Sequence, residues 1–139
     1  MIVLDTNVVS EMQRPRADAH VTAWLVSHQP HGLWVTATVI AEMAQGICAL
    51  PHGRRRLALQ DGLDLLLADE FADKVLAFDT DAARAYGHVF EVRKRLGRPI
   101  QVADAQIAAV CLVHDAALAT RNVDDFAGLG LDLIDPWHS

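Results

Sequence analysis

Short, mostly apolar runs alternate with longer amphipathic ones along this chain, and that alternation restricts the fold more than any other feature. Ile2–Leu4, Leu33–Val35, Val75–Phe78, Ala117–Ala119 and Leu131–Ile134 are each too short for a helix and are bounded by polar residues or glycine, so they read as buried parallel strands. Between them the spacing predicts helices over Thr6–Met12, Ala17–Ser27, Thr38–Ala49, Arg54–Asp69, Thr80–Leu96 and Val102–His114. Pro15, Pro30, Pro51, Gly53, Gly97 and Pro99 punctuate their ends. Strands and helices in this order imply an α/β fold, an open, mostly parallel sheet wrapped by helices on both faces.

No repeat, low-complexity tract or Gly/Ser linker divides the sequence, so residues 1–139 are taken as one domain. With 52% hydrophobic residues in 139, the chain has enough apolar material to close a core without disulfides or structural metals, and disorder is excluded. Cys48 and Cys111 each lie alone in a helix-like apolar run and read as buried thiols. The longest apolar stretch, Ile107–Val113, is far short of the roughly 18–20 residues of a membrane span, and the N-terminus has no basic leader. A cytosolic protein is expected. The net charge of −6 argues against gripping nucleic acid by bulk electrostatics, although the basic residues cluster around Arg14 and Arg16, Arg54–Arg56, and Arg93, Arg95 and Arg98.

In open α/β sheets, functional side chains stand beyond the carboxyl ends of strands, where backbone turns into loops and helix N-termini. The rule points to Asp5 after the first strand, the Thr36–Thr38 turn after the second and Thr120-Arg121-Asn122 after the fourth. Asp5 alone is equally well explained as a helix N-cap. Asp104 is harder to dismiss, because its helical neighbours at i+3, i+4 and i+7 are Ile107, Ala108 and Cys111, which puts a carboxylate on or beside an apolar stripe. Burying it costs several kcal/mol unless a cation, hydrogen-bond donors or the helix dipole compensates. Glu42 lies at the margin of the stripe made by Val39, Ile40, Met43, Ala44 and Ile47. Three such acids at one sheet edge would repel one another, and a divalent cation is the simplest remedy.

Oxygen ligands without soft ones select Mg²⁺ or Mn²⁺ over zinc, and the seven histidines show no HxH or HExxH spacing. GxxxxGK[ST], GxGxxG and GxSxG are all missing, so nucleotide triphosphatase, dinucleotide enzyme and α/β-hydrolase readings have no motif to rest on.

Four segments carry a resemblance: IVLDTNVVSE at residues 2–11, VIAEMAQG around Glu42, IQVADAQIAA around Asp104, and the closing LATRNVDDFAGLGLDLIDPW. Together they span essentially the whole chain and resemble the PIN domain, within it the VapC toxins of type II toxin-antitoxin pairs, especially the FitB-like branch. The resemblance implies a three-layer α/β/α sandwich with a central sheet of four to five strands, and an endoribonuclease that uses Mg²⁺ or Mn²⁺. Relatives carry a carboxylate quartet. Asp5, Glu42 and Asp104 fall on three of its positions, but Asn122 stands where many relatives have Asp, with Asp125 as a candidate substitute.

On this reading Asp5 and Asp104 are the principal metal ligands, and Glu42 is a ligand through water or orients the attacking water. Thr6, Asn7, Thr120 and Asn122 support them. Arg14, Arg16, Arg93, Arg95 and Arg98 are candidate contacts to the RNA backbone. The resemblance further implies a homodimer, and a VapB-like antitoxin that covers the active site and carries the contact to operator DNA. Trp24, Trp34 and Trp137 are aromatics able to anchor a partner, or simply core residues. Two rival classes remain open. The missing fourth acid permits a FitB-like subunit of a DNA-binding repressor complex with a vestigial nuclease site. A phosphotransfer domain would also place an acid after the first strand, but it wants Asp-x-Asp where this chain has Asp5-Thr6-Asn7, and a late lysine where the chain has only Lys74 and Lys94.

Overall fold

The computed structural model describes all residues 1–139. The elements run β1 (Ile2–Leu4), α1 (Thr6–Met12), α2 (Ala19–His28), β2 (Leu33–Thr36), α3 (Ala37–Cys48), α4 (Arg54–Ala68), β3 (Val75–Leu76), α5 (Thr80–Arg95), α6 (Val102–Val113), β4 (Ala117–Ala119) and β5 (Leu133–Ile134). Single 3₁₀ turns cover Gln29–His31 and Val123–Phe126. The five strands form one parallel sheet in the order β3-β2-β1-β4-β5, with Val3 opposite both Trp34 and Leu118. Right-handed crossovers then place α1–α4 on one face, on the way out to β3, and α5 and α6 on the other, on the way back to β4. The expected α/β/α sandwich is what forms.

The departures from the expected boundaries have local causes. β3 stops at Leu76 because β2 pairs with it only over Val35↔Val75 and Thr36↔Leu76, after which the chain turns into α3 and leaves Phe78 nothing to pair with. β5 begins at Leu133, after Gly130 in a left-handed conformation (φ 75°). α2 begins at Ala19, not Ala17, because the Asp18 carboxylate accepts the amides of His20 and Val21 (2.8 and 3.2 Å) and caps the helix there. α5 ends in a Schellman motif: the Gly97 amide donates to Lys94 O and the Arg98 amide to Arg93 O, both at 3.0 Å, with Gly97 at φ 70°.

β1, β2 and β4 supply Val3, Leu4, Val35 and Leu118 to the core, and α6 is buried from Ile107 to Cys111. A helix apolar all round belongs inside. Cys111 is accordingly buried, but Cys48 is exposed, contrary to expectation. The buried stripe of α3 runs Val39, Met43, Ile47, and Cys48 lies one residue, about 100°, beyond it. Trp24 is buried and stacks on His28 (ring centroids 4.4 Å apart), so it serves the core and not a partner surface. No helix is long and apolar enough to cross a membrane.

Candidate active site

In the order β3-β2-β1-β4-β5 the connections run one way from β1 and the other way from β4, so the sheet's switch point lies between these two strands. Ligands of open α/β sheets bind outside the carboxyl ends at such a point. The residues that leave the sheet there are Asp5 and Thr120, and both are buried. The Asp5 amide donates to Ala119 O (2.9 Å) and continues the ladder for one more residue before α1 begins.

Asp5 does two jobs at once. Its Oδ1 caps α1 by accepting the Thr6 amide (2.8 Å), and its Oδ2 accepts the hydroxyl of Thr120 (2.7 Å) and, more weakly, the Asn7 amide group (3.4 Å). Capping by Oδ1 therefore leaves Oδ2 turned toward Thr120 and Asn7. The Asn7 side chain also accepts the Arg121 amide (3.2 Å), and the Asn122 amide donates to Thr120 Oγ1 (3.0 Å), so the ends of β1 and β4 are laced together. Asn122 enters this network through its backbone.

The helices bring in the other acids. The Thr6 hydroxyl donates to Glu42 Oε1 (2.6 Å), which joins α1 to α3, and the Thr38 hydroxyl donates to the Gln106 side chain (3.0 Å), which joins α3 to α6. Thr36 starts α3 in register by capping Val39 (3.1 Å). Asp104 sits in the first turn of α6, half-buried, and its carboxyl is pushed up to about 6. The chief cause is burial, followed by the charges of Asp5, Asp125 and Glu42, with only Arg93 acting in the opposite sense. Asp5 is raised too, by burial first, against the hydrogen bonds from Thr120 and Thr6, with Glu42 and Asp125 adding to the rise.

The charges of Glu42 and Asp125 thus act on both Asp5 and Asp104, while no three acidic, His or Cys side chains are grouped closely enough to hold a metal ion between them. Oxygen donors and excess negative charge suit a hard divalent cation held by one or two carboxylates. They do not fit zinc.

A groove of about 520 Å³ leads away from Glu42 and Thr6 between α1, α3 and α4, past Ser10, Arg14, Gly46 and Arg55. It continues into a larger groove of about 720 Å³ between α1 and α4, lined by Met12, Leu59, Leu65 and Leu66, with Asp69 and Glu70 at its border. Of the arginines expected to contact RNA, Arg14 borders these grooves, while Arg16, Arg95 and Arg98 are exposed but border neither. Arg95 is paired with Glu91.

Arg93 overturns its expectation. It is 3% exposed and donates to the carbonyls of Asp124 (3.2 Å) and Ala127 (2.7 Å), so it is not an RNA guide. The sequence held the signal: Ala82, Val89 and Arg93 repeat at i, i+7, i+11, which is the buried stripe of α5.

Glu11 escaped the sequence reading, and Arg121 was named there only by its place after the fourth strand. Glu11 is buried and accepts Arg14 (3.2 Å) and the Asp18 amide (3.3 Å), which pins the α1–α2 loop and holds Arg14 beside the groove. Arg121, next to the site, lies over the Trp137 ring at 4.9 Å. An acid three residues before an arginine on a predicted helix was a visible signal for Glu11; Arg121 had only its place in the TRN segment.

The fold is that of the PIN domain family, to which the chain belongs: the family match covers residues 2–130. It is 39% identical over 138 residues to a protein of Sinorhizobium fredii named VapC ribonuclease Y4jK, with 99% of each chain covered. It is 34% identical over 138 residues to Toxin FitB of Neisseria gonorrhoeae, again covering 99% of each. Among solved structures, FitAB bound to a DNA fragment superposes with a TM-score of 0.91 at 34% identity, covering 100% of this chain and 97% of that one.

Proposed function

We propose that this chain is the toxin of a type II toxin-antitoxin pair and a Mg²⁺- or Mn²⁺-dependent endoribonuclease. The observation that carries the reading is buried Asp5 at the switch point of the sheet, with Glu42 bonded to the adjacent Thr6 and with Asp104, in the first turn of α6, raised by burial and by the charges of Asp5, Asp125 and Glu42. Asp5 and Asp104 would hold the ion, which supplies positive charge for the scissile phosphate and an acidified water. Glu42, oriented by the Thr6 hydroxyl, accepts the proton of the attacking water. Thr120 and Asn7 keep Asp5 turned toward the gap. Attack of the water in line with the leaving ribose oxygen breaks the phosphodiester with no covalent enzyme intermediate.

Arg14 and Arg55 border the groove that leads to Glu42 and are suited to the RNA backbone; Arg16, Arg95 and Arg98 are more distant guides. The adjoining α1–α4 groove, apolar along Leu59, Leu65 and Leu66 and cationic at Arg14 and Arg55, suits an amphipathic antitoxin segment that closes the site. The protein would act in the cytoplasm as a homodimer, with operator DNA contacted only through the antitoxin. Residues 1–139 act together as the PIN domain.

The test is cleavage of a labelled, structured RNA pool by antitoxin-free protein in Mg²⁺, Mn²⁺ and EDTA, comparing wild type with Asp5→Asn. Discrete metal-dependent products that vanish in the variant are expected. Equal silence of both proteins on every RNA, with antitoxin and metal still bound, would replace this reading with a repressor subunit whose nuclease site is vestigial.

A further inference from the structure

β4 and β5 run parallel, with Leu118 opposite Leu133 and Ala119 opposite Ile134, so their carboxyl ends open on the same edge of the sheet as Asp5. The pairing continues one residue further, the Thr120 amide donating to Ile134 O (2.8 Å). Arg121 then leaves the sheet from β4, and residues 135–139 leave it from β5. Arg121 is fastened by its backbone: its amide donates to Asn7 Oδ1 (3.2 Å), and Asn7 Nδ2 donates to Asp5 Oδ2 (3.4 Å). The closing segment is folded by Asp135, whose carboxylate accepts the Trp137 amide (2.9 Å) and bonds His138 Nδ1 (2.9 Å), and whose carbonyl accepts the Ser139 hydroxyl (2.7 Å). Trp137, half-buried against the core, is thereby set beneath Arg121, with the guanidinium carbon 4.9 Å from the ring centroid.

A guanidinium held this way keeps its donors free. A carboxylate or carbonyl engages the N–H edge of the group, whereas an aromatic ring takes its flat face and leaves the edge open to solvent or to an anion. Arg14, Arg56, Arg93 and Arg95 each donate to a protein oxygen. Arg121 is exposed, makes no ion pair, and bonds Asn7 through its backbone amide alone. It also stands one residue beyond Thr120, whose hydroxyl donates to Asp5 Oδ2 (2.7 Å). Asp5 and Glu42 both bond Thr6, through its amide and its hydroxyl, so a polyanion that approaches this edge meets two carboxylates and needs a cation beside them with donors to spare. We infer that Arg121 is an RNA-binding residue of this site, its open edge taking a backbone phosphate on the β4 side of Asp5, and that Trp137 is the positioning residue that holds it there. The inference rests on the nuclease reading above and deepens it, giving the site a substrate contact on a side that neither groove reaches.

The experiment is binding of a fluorescein-labelled single-stranded RNA of mixed sequence to the full chain, in EDTA to prevent cleavage and over a series of salt concentrations. The proteins are wild type, Arg121→Met, Arg121→Lys, Trp137→Leu, Trp137→Phe and the Arg121→Met/Trp137→Leu double variant. Each phosphate contact to a single strand contributes about 0.7 to the slope of log affinity against log salt, so Arg121→Met should lower the slope by about 0.7 and the affinity at about 0.1 M salt roughly fivefold. Arg121→Lys keeps the charge and should keep the slope. Trp137→Leu leaves the charge but frees the side chain, so it should weaken binding about two- to threefold, the worth of an exposed cation–π contact, with the slope kept. Trp137→Phe, a weaker platform than indole, should fall between Trp137→Leu and wild type. The double variant should bind no more weakly than Arg121→Met alone, because Trp137 acts through Arg121; independent structural damage would make the losses multiply.

Wild-type affinity and slope in Arg121→Met overturns the inference and leaves protein recognition as the use of the exposed pair. Multiplying losses in the double variant overturn the role given to Trp137. Should Trp137→Leu not fold, Trp137→Phe takes its place, and a loss with the slope kept supports that role while wild-type affinity rejects it. Wild type itself separates the inference from the reading beneath it. If wild type binds the RNA without salt dependence, or not at all, the nuclease reading fails and the inference fails with it. If wild type binds the RNA and cuts it in Mg²⁺ while Arg121→Met keeps the wild-type slope, the inference alone fails.

Discussion

Asp104→Asn should abolish RNA cleavage and, in metal-free buffer, make the fold more stable. The carboxyl of Asp104 is raised from 3.8 to about 6 by burial and by the neighbouring carboxylates. For an acid raised in the folded state the sign runs against stability. Below about pH 4 the group is protonated in both states and contributes nothing. Between about pH 4 and pH 6 the unfolded chain releases its proton first, and folding becomes progressively less favourable; above about pH 6 the loss is complete. A shift of roughly two pH units corresponds to at most about 3 kcal/mol, and solvent screening at this half-buried carboxyl cuts it to about 1–2 kcal/mol. An asparagine of the same shape carries no charge to repel and should recover most of that.

For a chain of this length the gain amounts to roughly 5 °C in Tm. Urea denaturation in EDTA, at pH 4 and pH 7.5, measures it: no gain at the lower pH, about 1–2 kcal/mol at the higher one. Saturating Mg²⁺ should shrink or reverse the difference, since the ion binds only the folded wild type. A variant no more stable than wild type at pH 7.5, or equally stabilised at pH 4, would refute the account of Asp104 as an electrostatically crowded residue.

Other outcomes follow from the same geometry. Thr120→Val should cost about 1–3 kcal/mol in urea denaturation, because it strips a 2.7 Å hydrogen bond from buried Asp5 and leaves the Asn122 amide unpaired, whereas Thr120→Ser should cost much less. Iodoacetamide at pH 8 should label native protein once, at exposed Cys48, since burial and the Asp5 charge push the Cys111 thiol up to about 12; mass spectrometry reads one adduct in the native protein and two after unfolding. Arg14→Ala should weaken RNA binding and lower the salt slope by about one, while Arg16→Ala, away from the groove, should change both less.

The candidate acids differ in how visible they were. Asp5 was marked by following three apolar residues at the start of the chain, and Asp104 by standing beside Ile107, Ala108 and Cys111 on one helical face. Both signals are local, so periodicity reveals them. Glu42 carried a weaker mark, at the margin of its stripe, and it reaches the site through the Thr6 hydroxyl, 36 residues away. Asn7 and Thr120 meet across 113 residues. Arg93 was misread because a run of basic residues near a helix end suggests a solvated face, and the run hid the one member that continues the Ala82–Val89 stripe. Cys48 was misread for the converse reason, an apolar neighbourhood that did not mark its own face of the helix.

Element type and order were legible from residue order because hydrophobic period and capping act over a few residues, and a short apolar run between helices has few other fates. The order of strands in the sheet, and hence the switch point between β1 and β4 where Asp5 and Thr120 meet, was not. Nor was the inward turn of Arg93 onto the carbonyls of Asp124 and Ala127. Each of these depends on free energy gained between segments remote in sequence. Burial and charge are properties of the surroundings that a side chain acquires when the sheet closes, and no local pattern carries them.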